Sequence, residues 1–517
     1  MENVNLKERT LKNVSYSLLS FVWPVLIAFV VTPIVVNHYG VKEYGIYLFI
    51  NTLISLAGLL DIGFASAVSK FIAEKNGRKD KDGIITLFKS ANTVFLIIGV
   101  VGAIFISLSI YIGLVTFPSD LIASYRMYIP SFFFAGILFC INSINSLHVI
   151  IPMAYQRFDI GSKIGIVFIT VQQLGILFVI FIQGSINVLF FFQMLLMFIF
   201  YFIYKKYVST IISDDERKAL NVYGWDVKEV VSNYKFGVIS FINNLAGVSL
   251  TYLDRMIIPL FLGPSNLTFY SLPGSITNKV PTLAVTLSSV VFPMTSHFEG
   301  SGDKNMVRNL YVRSTRLITI ISTAISITFI AFAYALLQYW ISTELANKAT
   351  TVLIILAITN LILAVVTPLN SLLLGMGKLR ALITTSTITA LINIVLLFVL
   401  MPRFGIEGAA YAYLFALVPY IFLIYKTEKG YLDLFNRASY YVHFISKLVV
   451  ISGIIFVIDK FFVIQYVHSF VSVLLASAVS TTAFLVLYFL FGFFEKEDVV
   501  DISHFLKKVF GKIFTTT

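Results

Sequence analysis

Charged residues are scarce in this chain of 517 residues: they make up 12% of it, against 58% hydrophobic residues. The mean hydropathy is +0.90, which lies far outside the range of soluble globular proteins. Phenylalanine alone contributes 49 residues. The composition therefore predicts a polytopic membrane protein.

Cysteine and catalytic motifs are nearly absent. The single cysteine, Cys140, lies in an apolar run, which excludes an intrachain disulfide framework and a cysteine metal site. The sequence contains no glycine-rich phosphate loop, no nucleophile elbow and no HExxH motif. We therefore expect a protein that is not an enzyme and that needs neither a cofactor nor a metal.

Long apolar segments follow one another along the whole chain. A helix that crosses the hydrocarbon core needs about 20 mostly apolar residues. Fourteen segments meet this criterion: 13–36, 44–69, 87–115, 127–152, 162–182, 186–204, 236–262, 267–296, 315–341, 349–374, 381–401, 407–425, 440–464 and 468–494. The predicted fold is an all-α polytopic membrane protein with about 14 transmembrane helices.

The basic residues orient these spans. If the N-terminus is cytoplasmic, most of the 38 Lys and Arg residues fall in inner segments. The outer segments hold Lys42, Arg126, Lys348, Arg403 and Lys460. This bias predicts that both termini are cytoplasmic. It also accounts for the net charge of +12, so we expect no nucleic-acid partner.

The two halves of the chain resemble each other at an offset of about 223 residues. Gly40 corresponds to Gly263, and Arg157 corresponds to Arg380. Six spans per half is an even number, so the halves are predicted to be parallel six-helix repeats that form two lobes. The predicted regions are an N-terminal lobe (1–204), a cytoplasmic linker with a short amphipathic helix (205–235), a C-terminal lobe (236–425), two additional transmembrane helices (426–494) and a cytoplasmic tail (495–517).

Three charged residues lie well inside apolar runs, where an unpaired charge is costly unless it faces a protein interior or a wet cavity. Arg255 either faces a cavity and binds an anion or forms a buried structural pair. Asp254 either carries a proton or cation, or tunes the arginine, or takes part in such a pair. Lys279 lies near the midplane and either neutralises a phosphate or pairs with Asp254. Pro273, Gly274 and Pro281 flank this lysine and predict a bent or broken helix.

Further polar residues within the spans have two interpretations each. Asp61 ends the apolar part of the second span, where it either has a structural role, by capping a helix or bonding between helices, or couples transport to an ion; Gly58 and Gly63 beside it allow close packing. Asn142, Asn145 and His148 are spaced so that they would follow one face of the fourth span. Amide groups there either contact sugar hydroxyls or bond between helices.

Four stretches share a family pattern: NVSYSLLSFVWPVLIAFVVTPIVVNHYGVKEYGIY, LLDIGFASAVSKFIAEK, YLDRMIIPLFLG followed by FYSLPGSI, and FGIEGAAYA. In these stretches, and in its six-plus-six repeat with two added helices, the chain resembles the polysaccharide-unit flippases. These are the O-antigen and capsule transporters of the multidrug/oligosaccharidyl-lipid/polysaccharide exporter superfamily. That superfamily also contains multidrug antiporters and the lipid II flippase.

The resemblance implies two lobes that alternate access in the bacterial inner membrane. The implied cargo is an undecaprenyl-pyrophosphate-linked oligosaccharide, which is moved from the cytoplasmic to the outer leaflet. Arg255 and Lys279 would bind its pyrophosphate or acidic sugars, with Asn142 and Asn145 as sugar contacts. Asp254 and Asp61 would couple transport to protons or sodium. The implied partners are membrane lipids, a polysaccharide polymerase and a chain-length regulator.

Two rival functions are open at this stage. A multidrug antiporter of the same superfamily usually has twelve spans and an acidic cavity, whereas this chain has two more predicted spans and intramembrane cations. A membrane polysaccharide polymerase typically needs a sizeable catalytic loop, and the predicted outer loops here are all short.

Overall fold

The structure is a computed structural model that describes residues 2–116, 125–155, 157–434 and 438–491. Within these ranges the chain is almost entirely helical and contains no β-strand. The predicted all-α class is confirmed. The predicted tail, 495–517, lies outside the described residues.

By internal packing the chain divides into two compact units, Met1–Thr268 and Phe269–Thr517. The helices up to the end of the seventh predicted span are α1 (Glu2–Ala57), α2 (Phe64–Gly77), α3 (Lys81–Thr116), α4 (Ile129–Ala154), α5 (Phe158–Phe181), α6 (Ile186–Val208), α7 (Asp214–Ala219) and α8 (Val227–Phe261). The later helices are α9 (Pro264–Thr277), α10 (Lys279–Ser288), α11 (Val291–Gly300), α12 (Lys304–Ala331), α13 (Ala333–Trp340), α14 (Thr343–Gly375), α15 (Leu379–Ala416), α16 (Val418–Gly430), α17 (Ala438–Ile458) and α18 (Phe470–Leu490). The finer division into six, six and two spans remains a prediction.

Ten helical segments in the described ranges are long and apolar enough to cross a membrane. Two of them contain a glycine with non-helical backbone angles: Gly40 in α1 has φ 78° and Gly405 in α15 has φ 57°. These glycines fall between predicted spans, so a long helix is kinked where a turn was expected. The eighth predicted span is divided among α9, α10 and α11, which are 14, 10 and 10 residues long. The count of fourteen therefore remains a prediction.

Two turns at the predicted offset have similar capping contacts, and the duplication itself remains a prediction. The α2–α3 turn and the α11–α12 turn are separated by the predicted offset. In the first, the Asp80 carboxylate accepts from the backbone N–H of Gly83 at 2.9 Å. In the second, Asp303 accepts from the N–H of Met306 at 3.0 Å. Each carboxylate satisfies a backbone donor in the first turn of a helix, so both turns start a long span in the same way.

The predicted linker is held against the first unit. Its short helix, α7, begins with a capping box formed by Ser213 and Glu216. The Asn92 amide on α3 donates to the carbonyl of Leu220 at 2.8 Å. Near the start of α8, Glu229 pairs with Lys75 at 2.7 Å. Because these contacts satisfy backbone and charged groups of the linker, it packs on the unit rather than acting as a free tether.

The second unit contains a buried clasp that joins three helices. Glu428 on α16 accepts a hydrogen bond from the Tyr311 hydroxyl on α12 at 2.8 Å, and another from the Tyr441 hydroxyl on α17. Apolar side chains of one core cluster, including Leu432 and Leu434, pack nearby. The clasp therefore fixes the first of the two additional helices to the body of the second unit.

We expect Tyr311→Phe to lower the free energy of unfolding by about 1.5–3 kcal/mol, because a hydrogen bond to a carboxylate is lost and its buried oxygen is left without that donor. Denaturant unfolding in detergent measures this loss. Tyr466→Phe is the control, since Tyr466 is 74% exposed, and it should change stability by less than about 0.5 kcal/mol. Equal stability of both variants would show that the clasp contributes nothing.

Candidate functional site

The helix around Lys279 is broken, as Pro273, Gly274 and Pro281 predicted. Helix α9 ends at Thr277 and α10 begins at Lys279. Proline lacks a backbone N–H, so Pro281 cannot donate to the carbonyl four residues earlier, and the ladder is interrupted at this point. The break places the lysine at the first position of a new helix.

A buried polar contact anchors the break to α14. The Asn360 side-chain amide, which is 3% exposed, donates to the Thr277 hydroxyl oxygen at 2.9 Å. Thr277 donates in turn to the Pro273 carbonyl at 3.0 Å. These bonds satisfy polar groups at the break on its buried side. The opposite side, which bears Lys279, is exposed.

The exposed side forms a polar stripe along α9, α10 and α11. Apart from the neighbours Asn278 and Lys279, its members recur at intervals of three, four or seven residues, which favours one side of a helix. They are the exposed residues Ser275, Asn278, Lys279, Thr286, Ser289 and Ser296 and the half-buried Thr282. The stripe runs over three consecutive short helices, and its twenty-one residues correspond to about 30 Å of helix when the three are added together.

The hydroxyl oxygens of the polar stripe can still accept hydrogen bonds. Each donates its proton to a backbone carbonyl three or four residues earlier, at 2.7–3.1 Å. A hydroxyl that has donated still has lone pairs that accept hydrogen bonds. The exposed groups can therefore accept from hydroxyls of a ligand, while Lys279 supplies positive charge. In a membrane, such a face needs water, protein or a polar ligand beside it.

The predicted residues of α8 belong to the first unit. Asp254 is 1% exposed, whereas Arg255 is partly exposed. Burial of a carboxylate next to a half-buried arginine is compatible with either interpretation of these residues, and their roles remain predictions.

Asp61 has an observed capping contact. It ends a short 3₁₀ turn, Gly58–Asp61, and both of its carboxylate oxygens accept from the N–H of Ala65 in α2, at 3.1 and 3.3 Å. Ile62 and Gly63 between them adopt left-handed backbone angles, with φ 46° and 72°. The structural interpretation of Asp61 is thus supported by geometry, and its ion-coupling role remains a prediction.

The amides of α4 do not share one environment. Asn142 is exposed, whereas Asn145 is fully buried and His148 is 1% exposed. Six residues of helix turn the chain by 600°, which leaves His148 about 120° away from Asn142. The expectation of a single polar face is therefore wrong for this group. His148 instead packs edge-on against Tyr201, with ring centroids 5.3 Å apart.

The polar stripe was missed in the sequence because its members are mostly neutral. Lys279 is recognisable in the sequence because it is charged. The hydroxyl residues around it are neutral, although they follow the helical period. The spacing of Ser and Thr relative to Lys279 would have identified the stripe. Its exposure depends on packing and is visible only in the structure.

Comparisons with known proteins agree with the fold. The family model described as "Polysaccharide biosynthesis protein" matches residues 10–299, and the MatE model matches residues 240–399. A Shigella flexneri protein whose name assigns it to O-antigen transport is 22% identical over 412 residues, which cover 77% of this chain and 93% of that protein.

Two solved structures share the fold. Lipid II flippase MurJ, in an inward closed conformation, matches with a TM-score of 0.67 at 13% identity, covering 92% of this chain and 99% of the other. An inward-facing multidrug resistance MATE family transporter matches with a TM-score of 0.57 at 13% identity, covering 83% and 96%. Because the first family model spans more than half of the chain, this multi-pass membrane protein belongs to the polysaccharide biosynthesis protein family, within the multidrug/oligosaccharidyl-lipid/polysaccharide exporter superfamily that its sequence resembles.

Proposed function

We propose that this protein moves undecaprenyl-pyrophosphate-linked oligosaccharide units from the cytoplasmic to the outer leaflet of the bacterial inner membrane by alternating access. The observation that supports this most directly is the polar stripe of α9–α11, because a cation and a row of hydroxyl acceptors follow one another along a predicted span. The family match and the O-antigen relative support the same class of cargo.

The stripe suits both polar parts of such a cargo. A lysine ammonium binds a pyrophosphate as a point charge, without a fixed geometry. The hydroxyls accept hydrogen bonds from sugars of many kinds, so a row of them would tolerate different glycans. The lipid tail would stay in the bilayer. In this proposal Arg255 is a second phosphate contact, the exposed Asn142 touches sugars, and Asp254 and Asp61 couple transport to an ion. The fully buried Asn145 is not a sugar contact in this structure.

Several features of the cellular setting belong to the same proposal. Both termini are cytoplasmic, as the distribution of basic residues predicts. A polysaccharide polymerase would use the delivered units in the outer leaflet, and a chain-length regulator would act with it. Membrane lipids surround the spans.

A drug antiporter is the second candidate, because the MATE transporter shares the fold. The two functions differ in the charge of their cargo. Lys279 on the exposed stripe repels cationic drugs and attracts phosphate, so the site favours the anionic cargo.

Reconstitution tests the proposal directly. The purified protein is placed in liposomes that contain the lipid-linked oligosaccharide in the inner leaflet, and a membrane-impermeant lectin reports glycan that reaches the outside. We expect translocation with the protein and none in protein-free liposomes. A parallel assay follows uptake of a fluorescent cationic dye. Dye uptake without glycan translocation would overturn the proposal and support the antiporter.

A further inference from the structure

A groove lies between α5 and α6 in the first unit. It is at the end of this helix pair where α5 begins and α6 ends. Its volume is about 650 Å³. The deeper part is lined by apolar side chains such as Ile164, Val167 and Phe200. Ile164 and Phe200 are 6% and 3% exposed and form the floor, whereas Val167 is 53% exposed. The groove thus opens laterally and offers an apolar wall to a chain-like ligand.

The mouth of the groove is cationic. Arg157, Lys163 and Lys206 line it together with a single carboxylate, Asp159. Arg157 pairs with Asp159 at 3.1 Å, so that pair is close to neutral. Lys163, one turn further along α5, also acts on the Asp159 carboxylate. Three cations against one carboxylate leave the mouth positive, and the side chains of Lys163 and Lys206 are exposed.

The apolar part of the groove is shorter than one leaflet. Lys163 lies four residues from Val167 on α5, and Lys206 lies six residues from Phe200 on α6. Those lengths of helix rise about 6 and 9 Å, so the groove holds the part of an acyl chain next to the headgroup, and the rest of the chain lies in the bilayer. Cations followed by apolar surface are the arrangement that complements an anionic phospholipid.

We propose that this groove is a binding site for an anionic phospholipid of the leaflet that it faces. The headgroup phosphate lies between Lys163 and Lys206, and one acyl chain packs along Ile164 and Phe200. The charge bias predicts that this leaflet is cytoplasmic. The site is separate from the polar stripe, and the inference does not depend on the proposed cargo.

Lipid binding to the purified full-length protein tests this site. Native mass spectrometry and titration compare phosphatidylglycerol with phosphatidylcholine of the same acyl chains. We expect phosphatidylglycerol to be retained preferentially. The double variant Lys163→Gln/Lys206→Gln should weaken its binding by roughly 25-fold, since each interfacial cation contributes about fivefold.

The control is the double variant Lys205→Gln/Lys218→Gln, which loses the same charge elsewhere. Lys205 lies over the Tyr201 ring, with its Nζ 5.8 Å from the ring centroid, and Lys218 is 81% exposed. This control should bind phosphatidylglycerol within about twofold of the unmodified protein, because its lysines lie outside the groove. An equal loss in both double variants would overturn the site, since binding would then follow net charge alone.

Two further measurements separate a lipid site from an anion site. Val167→Trp fills the apolar part and leaves the cations in place, so it should reduce phosphatidylglycerol binding at unchanged charge. Soluble glycerol phosphate should not displace the lipid at equal concentration. Equal retention of phosphatidylcholine, unchanged binding by Val167→Trp, or displacement by glycerol phosphate would each overturn the proposal.

Discussion

Replacement of Lys279 by alanine is expected to reduce glycan translocation by about 10- to 100-fold, because a charge-assisted contact with phosphate contributes roughly 1.5–3 kcal/mol. Lys279 is exposed at the first position of α10, so its loss should leave folding intact. The lectin assay in liposomes measures transport, and thermal unfolding of the same sample measures stability. Lys279→Arg should restore part of the activity, since the positive charge remains.

The matched control for this variant is Lys348→Ala. Lys348 is also an exposed lysine in a helix of the second unit, but it lies in the first turns of α14, outside the polar stripe. Its replacement should leave translocation within about twofold. Arg255→Ala tests the second proposed phosphate contact in the same assay. Normal transport by both Lys279→Ala and Arg255→Ala would contradict a cationic path through the membrane.

Gly45→Ala is expected to destabilise the first unit by about 3 kcal/mol or more, because it forces extra volume into a closed backbone contact. A Cβ at Gly45 would lie 1.9 Å from the carbonyl oxygen of Pro264 and 3.1 Å from the Thr268 hydroxyl. Neither the backbone nor the threonine can easily give way, since Thr268 also donates to the Val41 carbonyl at 2.8 Å. The α1 and α9 segments would therefore have to separate.

Gly161→Ala is the control, and its expected effect on the free energy of unfolding has the opposite sign. Gly161 lies inside α5, and no described atom lies within 4 Å of a Cβ built there. Alanine is the better helix former, so this change should be neutral or stabilise by up to about 1 kcal/mol. Denaturant or thermal unfolding of both variants, with yield in the membrane fraction, gives the comparison. Similar stabilities would show that the Gly45 contact tolerates a side chain.

Local features of the chain were predictable from the sequence. The apolar runs predicted helices and the two prolines near Lys279 predicted a break, and both are present in the structure. The reason is that hydropathy and missing backbone donors act within a few residues. The prediction of close packing at Gly58 and Gly63 agrees with the structure for only one of the two glycines. Gly63 meets the Gly237 carbonyl, 2.3 Å from a Cβ built there, whereas no described atom lies within 4 Å of one at Gly58.

The environment of individual polar groups depended on packing. Asn142 and Asn145 are three residues apart and chemically identical, yet one is exposed and the other is fully buried. Asp61 contacts the N–H of Ala65 because two left-handed residues turn the chain back. No local pattern distinguishes these outcomes, because each depends on which neighbouring helix covers a given face.

By itself, the sequence determined that the protein is helical, apolar and inserted in a membrane, and it predicts a duplication and, from its charge bias, the orientation of the spans. These properties follow from residue type and spacing, since lipid demands long apolar helices and basic loops set their direction. The tertiary structure alone decided which side of the broken helix is exposed, that Asn360 anchors it across 83 residues, and that α5 and α6 enclose a groove with a cationic mouth. These features arise where segments that are distant in sequence pack together. The energy of such contacts depends on the shapes and distances of the packed side chains, which the sequence does not specify locally.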